Sequence, residues 1–321
     1  MREYFMILIP YVEPHLQVAT IMLTFAESRI MFNVLSMKGH IRTIISVDDM
    51  QQQVRRLLQS GKTIAFVPTM GYFHDGHLAL MCEGRKHGDA LITSIFVNPA
   101  QFGPAEDYQT YPRDLNRDVS LAESVGVNIV FSPEAEAMYD KAYQTYIDLE
   151  PLSQHLCGPS RPGHFRGVAT VVCKLFNIVK PHVAIFGEKD YQQLLIIRRM
   201  VRDLRFDIRI IGVPIVREAD GLAMSSRNTY LSDDERRSAL SLFLCLQQTR
   251  ATVAQGVKNV RELVYGASEL IRSYPHTKID YIRLCDPETL EDVDRVERPT
   301  LMALAVWVGK TRLIDNAILK P

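Results

Sequence analysis

The feature that most limits what this chain can become is the rhythm of residues 47 to 215, where short apolar runs alternate with amphipathic stretches. Val47, Met50, Val54, Leu57 and Leu58 recur at helical spacing and predict a helix stopped at Gly61. Lys62–Val67 then reads as a buried strand, Pro68–Gly76 as a turn, and 77–87 as a second helix ended by Gly88. Asp89–Val97 reads as a strand, 114–125 as a helix up to Gly126, and Val127–Phe131 as a strand again, with Tyr146–Leu149 expected as a short edge strand. A helix over Gly167–Lys180, the strand Val183–Phe186, a helix from Asp190 to Leu204 and the strand Ile208–Ile215 continue the series. Strands that alternate with helices pair in parallel through crossovers, and the sheet must be covered on both faces. The expected class is therefore α/β, a doubly wound parallel sheet, with ligands beyond the carboxyl ends of its strands.

After Ile215 the rhythm changes. Ser232 and Glu235 are spaced as a capping box at the head of a long helix to Ala254. A helix over 259–273 and strands at Lys278–Leu284 and Leu301–Val308 follow. This predicts a Rossmann-like domain over 38–214 and a smaller α+β C-terminal lid domain over 215–321. Residues 1–37 carry apolar runs broken by Glu13, Glu27 and Arg29, each far short of the ~20 apolar residues of a membrane span. Glu3 beside Arg2 and the lack of a small-residue cleavage site do not fit a signal peptide. The stretch is expected either to precede a true start at Met37 or to be an extension without an assigned function.

Composition narrows the partners. Lys+Arg and Asp+Glu balance at 37 each with no basic run, which argues against DNA or RNA as the main partner. Five scattered cysteines with no CxxC pair argue against a disulfide framework or structural zinc and fit a reducing cytoplasm.

The residues most able to carry chemistry are His74-Asp75-Gly76-His77, placed just after the strand Ile64–Val67 and the turn Pro68-Thr69-Met70-Gly71. A helix that starts here points free N–H groups and its positive dipole end at the strand's carboxyl end, which makes an anion site. Gly76 allows backbone to approach a phosphate closely. Histidines three apart share one face of the first turn and can donate to phosphate oxygens as charge develops. Lys189, in Gly187-Glu188-Lys189-Asp190 between a strand and a helix, is a point charge suited to phosphate. Asp190 reads equally as that helix's N-cap or as a ligand contact. Met224-Ser225-Ser226-Arg227 offers two hydroxyls and a guanidinium in a segment that reads either as a closing loop or as a solvated turn.

Read in order, these blocks resemble the HIGH-type nucleotidyl-transfer superfamily and, within it, the pantothenate synthetase (pantoate–β-alanine ligase) family. The same resemblance runs through Ile95-Phe96-Val97-Asn98-Pro99, Gln101-Phe102, Glu106-Asp107, Tyr111-Pro112-Arg113, Ser160-Arg161-Pro162-Gly163-His164-Phe165-Arg166-Gly167, Phe186 to Gln193, Gly221 to Asn228 and Leu313-Ile314-Asp315-Asn316. It implies ATP-dependent condensation of (R)-pantoate with β-alanine through a pantoyl adenylate, with AMP and diphosphate released and Mg²⁺ required. It implies His77, His74, Lys189 and Arg227 as catalytic residues. It implies ATP contacts by Met70, Gly71, Tyr72, Phe73, His74, Asp75, Gly76 and His77, by Gly187, Glu188, Lys189 and Asp190, and by Val216, Met224, Ser225, Ser226 and Arg227. Gln101, Gln193, Asn98, Arg161 and His164 are expected to hold pantoate or β-alanine. Asp118 matches a position associated with the metal in some relatives, although Arg117 stands beside it where others have another acid. A homodimer is also implied, with the strand near 89–97 and the Gln101–Tyr111 loop as contact regions, and no membrane partner. Weighed against this are another nucleotidylyltransferase of the superfamily, an aminoacyl-tRNA synthetase, and a non-catalytic ATP-binding homologue.

Overall fold

The computed structural model describes residues 41–321 apart from Ala105, as one compact unit. The readings made for residues 1–37 lie outside the described residues. Six strands form one parallel sheet: β1 (Arg42–Ile44), β2 (Ile64–Thr69), β3 (Ala90–Ile95), β4 (Ile129–Phe131), β5 (Val183–Gly187) and β6 (Arg209–Val213), in the order β1-β4-β3-β2-β5-β6. The inner strands β2, β3 and β5 are mostly apolar and buried because both faces are covered. Ile64 and Phe66 join one core with α1 (Val47–Gln59), α5 (His164–Val179) and α6 (Tyr191–Asp203). Ala65 and Val67 join another with α2 (Asp75–Arg85) and α3 (Leu115–Ser124), and a one-turn α4 (Ala135–Met138) follows β4.

The order of strands places the site. From β2 the chain winds outward through β3 to β4, then returns to lay β5 on the other side of β2. The carboxyl ends of β2 and β5 therefore lie side by side where the winding reverses, the crevice in which such sheets bind ligands. The C-terminal part has its own core. An antiparallel sheet of β7 (Thr277–Cys285), β8 (Thr300–Val308) and β9 (Thr311–Leu319) packs on α7 (Asp233–Ala254) and α8 (Val260–Arg272).

Four details differ from the sequence reading. Tyr146–Leu149 is not a strand, since the Ile147 amide donates to the Thr170 hydroxyl at 3.0 Å rather than to a ladder. The helix expected from Gly167 starts at His164, and Gly167 lies inside it. Strands β1 and β9 are additions, β1 because it has only three residues and β9 because Asp315 and Asn316 interrupt its apolar pattern. The strand near 89–97, expected at a dimer contact, is an inner strand: β3 is flanked by β2 and β4, and Ala90 to Ser94 are buried. Among the described residues, no helix is long and apolar enough to cross a membrane.

Candidate active site

The tip of α2 sits over the end of β2, and its two histidines cap it. His74 is the N-cap, and its Nδ1 accepts the Gly76 N–H at 3.1 Å. The His77 Nδ1 accepts the His74 N–H at 3.3 Å, which closes a reciprocal capping box. The rings lie 4.1 Å apart at 37°. A neutral imidazole that accepts through Nδ1 carries its proton on Nε2. Both rings are held neutral: desolvation, then Lys189, lower the His74 pKa to about 4, and desolvation, then His74 and Lys189, push His77 well below its ordinary value. The helix tip thus presents two neutral N–H donors.

These rings line an inner cavity of about 240 Å³, together with Met70, Asn98, Gln101, Arg161, His164, Lys189, Asp190, Gln193, Val216, Met224, Ser225, Ser226 and Arg227. It joins an outer cleft of about 840 Å³ that shares Arg161, His164, Lys189, Gln193, Ser225 and Arg227 and is walled by β8 and β9. The inner cavity also has apolar lining, Leu80, Pro214, Ile215, Val216 and Met224 among it. Lys189 is half-buried, and desolvation, aided by Arg227, lowers its pKa.

The acid end of the cavity is built by close packing. A Cβ on Gly167 would overlap the Ala100 carbonyl and stand 2.7 Å from the Gln101 Cα, so only glycine lets α5 meet this turn. Asn98 donates to the Gly167 carbonyl at 3.1 Å and to Gln101 Oε1 at 3.0 Å, leaving the Gln101 amide nitrogen facing Met70 Sδ at 3.1 Å. His164 has the opposite tautomer from the capping pair. Its Nδ1 donates to the Gln101 carbonyl at 2.8 Å and its Nε2 accepts from Arg161 at 2.9 Å. Burial, and then Arg161, lower its pKa to about 3.

Both guanidiniums are clamped by the loop after Gln101. Glu106 accepts two hydrogen bonds from Arg161, each 2.7 Å, and Asp107 accepts two from Arg227 at 2.8 and 2.9 Å. Burial pushes the Glu106 carboxyl up, but the Arg161 pairing outweighs it and the net shift is down.

The sequence model of the pantoate-beta-alanine ligase family matches residues 42–318. The chain belongs to that family. It is 58% identical over 270 residues to the pantothenate synthetase of Desulfatibacillum aliphaticivorans, covering 84% of this chain and 95% of that one. It is 56% identical over 281 residues to that of Syntrophobacter fumaroxidans, covering 88% and 99%. The crystal structure of pantothenate synthetase from Thermus thermophilus superposes with a TM-score of 0.83 at 45% identity over 88% of this chain and 100% of that one. A pantoate-beta-alanine ligase from Francisella tularensis, described as complexed with beta-gamma ATP and beta-alanine, superposes at 0.73 with 33% identity over 87% and 97%.

Within this ligase-family fold, some expected ATP contacts do not line either cavity. Gly71, Tyr72, Phe73, Asp75 and Glu188 line neither; Phe73 is fully buried, Asp75 is exposed, and the Tyr72 carbonyl accepts from the Ser226 hydroxyl at 3.3 Å. Asp190 is exposed and stands at the N-cap position of α6, but its side chain makes no cap hydrogen bond. Asp118, expected at a metal, is 1% exposed and accepts the Tyr72 and Phe73 amides at 2.5 and 2.7 Å. Burial pushes its carboxyl up against the pull of those amides. Sequence reasoning assigned no role to Tyr111, which lines the inner cavity under Arg227, nor to Asn316, whose amide donates to the Glu188 and Lys189 carbonyls at 2.9 Å each. A buried Asp-Asn pair in an apolar strand was the signal available for the second.

Proposed function

We propose that this chain uses ATP to condense pantoate with β-alanine, through a pantoyl adenylate, in the continuous cavity at the ends of β2 and β5. The observation that carries the reading is that two neutral imidazole donors, Lys189 and Arg227 share one cavity with the amides of Gln101 and Gln193. The apolar lining at Val216 and Met224 suits an adenine. The α-phosphate then lies against the Nε2–H groups of His74 and His77, with the outer phosphates toward Lys189, Ser225 and Arg227. Pantoate fits between Gln101, Gln193, Arg161 and His164. Neutral amides hold its hydroxyls without pairing away the carboxylate's charge.

A carboxylate oxygen attacks the α-phosphorus in line, the bond to the β-phosphate breaks, and diphosphate leaves. Donors aimed at the oxygens where charge develops are the main aid, and they need no reorganisation. The β-alanine nitrogen then attacks the acyl carbon, the bond to AMP breaks, and pantothenate forms. Each of the three imidazoles in the cavity has its basic nitrogen engaged, His74 and His77 by backbone N–H groups and His164 by Arg161. The proton lost by the amine therefore goes to solvent. Mg²⁺ enters this reading as the counter-ion that ATP carries, part of the substrate. No cluster of three or more His, Cys, Asp or Glu among the described residues could hold it. All five cysteines are free, which supports a reducing cytoplasmic setting, and a homodimer belongs to the same reading.

The deciding assay measures diphosphate release. The reading expects release that depends on pantoate, with AMP as the co-product once β-alanine is added. ADP instead of AMP, or a product that keeps its AMP, would overturn it, and the second would favour a nucleotidylyltransferase.

A further inference from the structure

We infer that Arg117 and Asp118, adjacent on α3, are positioning residues that brace the phosphate-gripping turn and form no seat for a divalent cation. The inference rests on the ligase reading above and concerns how its helix tip is held.

Between β2 and His74 the chain turns through two successive left-handed residues, Gly71 at φ 85° and Tyr72 at φ 53°. Glycine adopts that region freely; an aromatic residue does so only where its surroundings impose it. Consecutive backbone amides turned to one side in this way make an anion-binding concavity. Asp118 fills it, with Oδ2 taking the Tyr72 N–H and Oδ1 the Phe73 N–H. Arg117 closes the other side. Its guanidinium donates to the Phe73 carbonyl at 2.9 Å, lies 5.1 Å over the Tyr72 ring and stands 3.5 Å from Asp118 Oδ1. The space is fully used, since a Cβ on Gly71 would meet Asp118 Oδ2 at 3.0 Å and the Ile95 side chain at 2.8 Å.

Both polar groups of the Phe73 backbone are thus held by α3, and Phe73 is the residue joined to His74. The α3 helix is itself anchored by Asp114, whose side chain accepts the Arg117 N–H at 3.0 Å. A small movement of this brace would move both imidazoles relative to Lys189. The same contacts disqualify Asp118 as a magnesium ligand. Mg²⁺ keeps several of its waters in a near-octahedral array, whereas Asp118 is 1% exposed, each of its oxygens already accepts an amide, and the Arg117 guanidinium stands beside it.

The test compares Asp118→Asn and Arg117→Met with the wild type in three readouts: kcat and KM for ATP, the Mg²⁺ concentration giving half-maximal rate at fixed MgATP, and affinity for a non-hydrolysable ATP. The brace predicts a loss in kcat/KM of roughly tenfold to a hundredfold for Asp118→Asn, a smaller loss for Arg117→Met, weaker nucleotide affinity in both, and an unchanged Mg²⁺ half-saturation. A raised Mg²⁺ half-saturation in Asp118→Asn, or rescue by excess metal, would overturn the inference in favour of a metal ligand. Wild-type kinetics and affinity in both variants would overturn it too. Arg117 is exposed, so Arg117→Met decides the matter if the buried substitution does not fold. A wild type that binds ATP but does not ligate would count against the proposed reaction, while the affinity readout would still decide the brace.

Discussion

His74 and His77 turn Nδ1 back onto the helix they cap, and so fix Nε2 as the nitrogen left to donate. Replacing His77 with alanine should reduce kcat/KM by on the order of a hundredfold to a thousandfold, as loss of one preorganised donor does, while far-UV circular dichroism stays native. Near-wild-type turnover would remove the ring from the mechanism. The same burial sets a pH dependence. His74 has an ordinary value of 6.5 and a folded value of about 4, and His164 falls from 6.5 to about 3. Between those limits the unfolded chain binds more protons than the folded one, so stability rises with pH through that window and levels off above it. Urea midpoints should therefore fall from pH 7 to pH 5, and His164→Gln should flatten part of the slope. An unchanged slope would show that His164 takes up its proton equally in the folded and unfolded chains. The sequence displayed the paired histidines plainly, because helix spacing alone brings residues three apart together. It could not display the clamps on Arg161 and Arg227, whose partners lie 55 and 120 residues away.

Helix tips and strand ends do the positioning at the next scale up. The parallel sheet was legible because continuous apolar runs between amphipathic helices have few other solutions. Strand β9 was not, because its buried Asp315 and Asn316 look out of place until their partners are known: Arg217, and the carbonyls before α6. Gly167 misled as a helix start for a related reason. Its small size serves contact with the Pro99–Gln101 turn, which sequence distance conceals. Gly167→Ala should therefore raise KM for pantoate and lower stability by about 1–3 kcal/mol, the usual cost of overpacking, as read from thermal unfolding with acid titration. Equal pantoate KM in the two proteins would break the link between this packing and Gln101. Asn316→Ala should cost about 1–2 kcal/mol for two lost hydrogen bonds and raise KM for ATP by loosening the Lys189 loop; an unchanged KM would leave Asn316 purely structural.

Two cores meet across one cleft in the described residues, with the proposed catalytic residues on one wall and β8 and β9 on the other. Trp307, the single tryptophan, lines that cleft from β8. Its fluorescence should respond to ATP with pantoate, and silence at saturating substrate would mean that the cleft wall is not engaged. The proposed mechanism depends on pantoate's carboxylate reaching an α-phosphorus held at the tip of α2. The decisive probe is pantoate carrying heavy oxygen in its carboxylate, turned over with ATP and β-alanine. The AMP released should acquire one labelled oxygen and the diphosphate none. Unlabelled AMP, or label in inorganic phosphate, would contradict the proposed attack.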